Sequence, residues 1–158
     1  MAGVVVRLAV LTSSAAVLTG CGGDGVHVGS FDVSTAGRGA CASFLDAVPD
    51  RVGDQDRRSV TGTEYAAAWG DPAIVLRCGV GKPKGFNRFS TCQRANGIDW
   101  FVPTSQINDQ DADVRMTTVG RLPAVDVLVP ARYRPPVAVM VDLEKAIKAH
   151  TKATTPCT

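Results

Sequence analysis

Residues 73–80 read AIVLRCGV, the clearest strand in the chain. Ile74, Leu76 and Cys78 fall on one face and Val75 and Arg77 on the other, the period of two that a strand requires. Upstream, ACASFLDAVPD (40–50) spaces Cys41, Phe44, Leu45 and Val48 by three and four residues. That spacing predicts a short amphipathic helix, ended by Pro49 and Gly53. Downstream, TCQRANGIDWFVP (91–103) sets Asn96-Gly97 between two strand-like arms, the signature of a type I′ hairpin. DVRMTTVGRLPAVDVLVP (113–130) gives a second strand pair around Gly120, with Pro123 shortening its second arm. PPVAVMVDLEKAIKAH (135–150) opens on proline, as a first helical turn allows, and aligns Val139, Leu143, Ile147 and His150. The expected fold is α+β: a small antiparallel sheet of about four or five strands, with an N-terminal and a C-terminal helix on one face.

The amino terminus has a different character. A weakly positive start, with Arg7, precedes an apolar run from Leu8 to Leu18 and then Leu18-Thr19-Gly20-Cys21. The run is shorter than the roughly 20 residues a spanning helix needs, so a cleaved secretory signal over 1–20 is expected. The small-small-Cys step resembles a lipobox, which implies acylation of Cys21. Two or more acyl chains hold a protein stably on a bilayer, whereas one holds it only marginally. Gly22 to Gly39 is rich in glycine and small polar residues and is expected to be a flexible tether over 21–39, with His27 solvated in it. One globular domain is then expected over 40–158.

Five cysteines are present, an odd number. If Cys21 carries lipid, Cys41, Cys78, Cys92 and Cys157 remain, an even set suited to two disulfides in an oxidising compartment. Sequence leaves three pairings open; the one expected here is Cys78–Cys92, stapling the basic loop GKPKGFNR (81–88), with Cys41–Cys157 joining the domain ends. The absence of a CxxC pair or a nearby His argues against a metal site.

The charge balance, 17 basic against 15 acidic residues, gives no footprint for nucleic acid. Asp109, Asp111 and Asp113 alternate like a calcium loop, but Val114 and Gly120 occupy positions that need glycine and an acid. GVGKP has Pro83 where a phosphate loop needs Ser or Thr. No serine lies in a GxSxG elbow, so a hydrolase would have to use carboxylates such as Asp71 and Asp99. Candidate binding residues are Trp69 and Asp71 of the WGDP turn, Arg77, Asp99 and Trp100, and the cations Lys82, Lys84 and Arg88. Trp69 and Asp71 also suit a structural turn, and Arg77 an ion pair with Asp71 or Asp99. The basic cluster suits anionic headgroups or an anionic envelope polymer.

The lipobox, WGDPAIVLRCGV (69–80), the second cysteine region with GIDW (97–100) and TVGRLPAVDVLVP (118–130) together resemble a small actinobacterial lipoprotein family, domain of unknown function 3515. The resemblance runs from about residue 40 to about 130. It implies an exported, membrane-associated protein and supplies no catalytic residues or cofactor. The expected function is therefore a lipid-anchored module on the extracytoplasmic face of the cell membrane, non-catalytic, that binds a partner or supports an assembly. A carboxylate hydrolase and a small-ligand carrier with a pocket between helix and sheet are the alternatives.

Overall fold

A computed structural model describes residues 25–157. The signal expected over 1–20 and the acylated Cys21 lie outside the described residues. Among those described, the elements run β1 (Val26–His27), α1 (Thr35–Ala47), β2 (Arg51–Val52), β3 (Gln55–Arg58), β4 (Val60–Thr61), β5 (Ala66–Trp69), β6 (Ile74–Val80), β7 (Gln93–Ala95), β8 (Ile98–Phe101), α2 (Thr104–Asn108), β9 (Val114–Val119), β10 (Arg121–Leu122), β11 (Ala124–Val129), a 3₁₀ turn (Ala131–Tyr133), α3 (Val137–His150) and β12 (Lys152–Ala153). Eight strands form one antiparallel sheet in the order β2-β3-β5-β6-β11-β9-β8-β7. The class is α+β with two disulfides. The sheet is larger than the four or five strands expected, because short edge strands such as β2 and β3 leave little periodicity to read. A third helix, α2, was not anticipated; it lies beside β9, where the Gln106 carboxamide oxygen accepts from the Arg115 amide at 2.9 Å.

The pattern of residues 74–78 holds as read. Ile74, Leu76 and Cys78 are fully buried, and Val127 and Val125 stand opposite Leu76 and Cys78 on β11. Met116 and Val114 of β9 extend this apolar face, and Phe44 and Leu45 of α1 and Leu143 and Ile147 of α3 close over it in one core. The hairpin is also as expected: Asn96 and Gly97 both take positive φ, 48° and 78°, as a type I′ turn demands. Helix α3 starts at Val137, directly after the two prolines.

Residues 25–39 correct the tether. β1 pairs in parallel with β4, and α1 begins at Thr35, with the Ser34 hydroxyl capping it by accepting from the Gly37 amide at 3.1 Å. Glycine-rich composition suggested slack chain, but one of these glycines serves packing. A Cβ built on Gly37 would lie 2.6 Å from the Gly79 Cα, so α1 rests on β6 backbone against backbone. Gly37→Ala should therefore destabilise by about 2 kcal/mol through overpacking, although alanine is the better helix former. Gly39, with open space around it, is the internal control. Gly39→Ala should stabilise by up to about 1 kcal/mol, and thermal melts of the pair check the opposite signs.

That close approach decides the disulfides. Cys41 reaches Cys78 with Cα atoms 5.7 Å apart, and Cys92 joins Cys157. All four cysteines are bridged as expected, but both expected pairings are wrong. Cys92 immediately precedes β7, four inter-strand spacings from β6, on the order of 19 Å and far beyond disulfide reach. The basic loop is thus a crossing between a central and an edge strand and joins no neighbouring pair.

Candidate functional site

The face of the sheet away from α1 and α3 carries the polar alternates. Arg77 on β6 stands opposite Asp126 on β11, and Asp126 stands opposite Thr117 on β9. Cross-strand neighbours on one face interact directly, and here they form an ion cluster. The Arg77 Nε donates to Asp126 Oδ1 at 2.9 Å and its Nη2 to Oδ2, while the Arg115 Nη1 also donates to Oδ2 at 2.9 Å. The Asp126 hydrogen bond holds the Arg77 guanidinium still more firmly protonated, outweighing partial burial. Asp126 is 5% exposed and its arginines 27% and 38%, so the cations face outward over a buried carboxylate.

These residues form the floor of a cavity of about 470 Å³. Phe31, Phe101, Pro83 and Pro103 supply apolar walls, and Lys82 and Lys84 stand at its rim. Phe31 lies over the Arg77 guanidinium, 5.0 Å from ring centroid to Cζ. Four cations and two carboxylates, Asp126 and Asp32, line the space, so it is net positive. Lys82 and Lys84 have no carboxylate partner among the described residues, and Arg115 uses only Nη1 on Asp126. A half-open cleft of this size with mixed apolar walls and unspent donors suits a small ligand with an anionic group.

The structure separates the candidate residues read from sequence. Arg77, Lys82 and Lys84 come together in this cleft. Trp69 and Trp100 do not reach it: both are fully buried in the core, and the Trp69 Nε1 donates to the Pro49 carbonyl at 2.9 Å. Asp71 is exposed in the β5–β6 turn and is not the partner of Arg77. Asp99 is held instead by Arg94, at 2.6 and 2.9 Å, and accepts from the Cys157 amide at 3.1 Å. The Arg94 hydrogen bond, against opposing burial, keeps its carboxyl below the ordinary range. Asp71 and Asp99 sit at strands three spacings apart, roughly 14 Å, and make no acid–base pair. Arg88 does not line the cleft and lies over the Phe89 ring. The cavity lies across the sheet from α1 and α3, with Gln106 of α2 in its lining, so it is not a pocket between either expected helix and the sheet. Sequence reading missed Arg115, Thr117 and Asp126. Their signal was Arg115 and Thr117 two apart in β9 and a lone Asp126 in the apolar β11, which become a site only once the strand order is known.

Fold and site define an α+β domain with a cationic cleft on the uncovered face of its sheet. The chain belongs to the family described as Protein of unknown function (DUF3515), whose model matches residues 1–156. No curated protein and no solved structure matches it. No helix among the described residues is long and apolar enough to cross a membrane, and they contain no group of three or more His, Cys, Asp or Glu placed to hold a metal ion.

Proposed function

We propose that the protein is a lipid-anchored, extracytoplasmic module that binds an anionic ligand without chemical transformation. The cleft carries this reading: Arg77 and Arg115 are fixed by one buried carboxylate, and Lys82 and Lys84 line the same space. The clamped arginines have little freedom left to lose on binding, which favours affinity. The apolar walls favour an anion attached to a ring or hydrocarbon. Phenyl phosphate should therefore bind the full chain several-fold more tightly than inorganic phosphate in calorimetric titration at constant ionic strength. Equal or absent binding of the two removes the support for this reading.

Anchoring is supported by Leu18-Thr19-Gly20-Cys21 after an apolar run, and by the pairing of the other four cysteines with one another. Protein extracted from membranes should begin at Cys21 and carry acyl mass, and Cys21→Ala should abolish both. A Cys21→Ala chain with the wild-type amino terminus and unchanged membrane attachment contradicts the anchor.

A further inference from the structure

The β6–β7 loop has a feature that anion binding in the cleft does not use. Phe89 is 80% exposed, more than any other large apolar side chain among the described residues. It stands on a braced turn. The Asn87 amide donates to the Ser90 hydroxyl at 3.0 Å, the Ser90 amide to the Asn87 carbonyl at 3.0 Å, and the Phe89 amide to the Asn87 carboxamide oxygen at 2.9 Å. Phe86, three residues earlier, turns inward and packs edge-on against Phe101, with centroids 5.2 Å apart. Cys92 then ties the loop's exit to Cys157. One phenyl ring of the loop is half-buried and the other is held out in water.

The charge around it has one sign. Between Asp71 and Asp99 there is no acidic residue, while Arg77, Lys82, Lys84, Arg88 and Arg94 are basic. Asp126 and Asp99 neutralise Arg77 and Arg94. Lys82, Lys84 and Arg88 remain, with the Arg88 guanidinium 4.7 Å from the Phe89 ring centroid. We infer that loop 81–91 docks the domain on an anionic phospholipid bilayer, with Phe89 in the interfacial layer and the three cations at the headgroup phosphates. Aromatic rings and cations together suit that layer. A soluble acidic polymer would be satisfied by the cations and gains nothing from a phenyl ring presented to water. The inference rests on the membrane location proposed above.

Phe89→Trp in the full chain, reconstituted in nanodiscs containing brominated phosphatidylcholine, tests it. The native tryptophans are fully buried and contribute little quenching. F89W emission should shift to the blue and be quenched when the discs also contain phosphatidylglycerol, and should stay water-like in neutral discs. Adding Lys82→Ala, Lys84→Ala and Arg88→Ala should lower the docking equilibrium constant by about fivefold for each charge removed. Circular dichroism and thiol titration confirm that the variants remain folded and oxidised. Unquenched F89W in anionic discs overturns the inference. So does binding of soluble polyphosphate to a chain whose F89W stays unquenched there, which assigns the loop to a polymer. Wild-type protein that stays on the discs while F89W is unquenched refutes docking and leaves the acyl anchor standing, so the two failures are read apart.

Discussion

Full-chain protein carrying Cys41→Ala and Cys78→Ala should unfold at about 4 kcal/mol lower free energy than wild type, lowering Tm by roughly 10–20 °C. The bridge closes a separation of 37 residues, and loop entropy alone gives nearly this value. Both cysteines are fully buried where α1 lies on β6, so their loss also leaves a packing defect. The second bridge spans 65 residues and would rank slightly higher on entropy alone. Its Cys157 end is on the terminal segment and only partly buried, so that segment can detach while the core stays formed. Cys92→Ala with Cys157→Ala should therefore cost less than the first pair. An equal or greater loss would show that the terminal segment is integral to the cooperative unit. Chemical denaturation of both double variants, with non-reducing peptide maps of wild type, measures this directly.

Trp69→Ala should cost about 4 kcal/mol. The side chain is fully buried in the core, Arg57 lies 5.9 Å from its ring centroid, and the Pro49 carbonyl loses its Nε1 donor. Trp69→Phe keeps most of the apolar volume and loses the hydrogen bond, so about 1–2 kcal/mol is expected. Neither variant should change phosphate affinity of the folded protein, because Trp69 faces the core and the cleft lies on the opposite side of the sheet. If Trp69→Ala left stability intact and abolished anion binding, the WGDP turn would be a ligand site after all. The outcome distinguishes the two roles that sequence alone left open for this motif.

The parts legible in the sequence were those fixed by local periodicity. The β6 alternation, the Asn96-Gly97 turn and the apolar line Val139, Leu143 and Ile147 all depend on spacing within one element. Pairing between distant elements was not legible. Arg77 could have met Asp71, Asp99 or Asp126, and only the placement of β11 beside β6 selects Asp126. The disulfides failed for the same reason, since nothing local shows that the chain after β6 crosses to the far edge of the sheet. Composition misled for 25–39, because glycine is used at Gly37 to let two backbones meet. Lys82 and Lys84 were found as a charge cluster, yet their meaning comes from Arg115 and Asp126, more than 30 residues further along the chain.

The most direct test is amide NMR of the full chain titrated with phenyl phosphate. Saturable shifts centred on Arg77, Lys82, Lys84, Arg115 and Thr117, lost when Lys84→Ala and Arg115→Ala are combined, are the predicted result. Shifts that never saturate, or that centre on the Trp69–Asp71 side, would contradict a built anion site in the sheet's uncovered face.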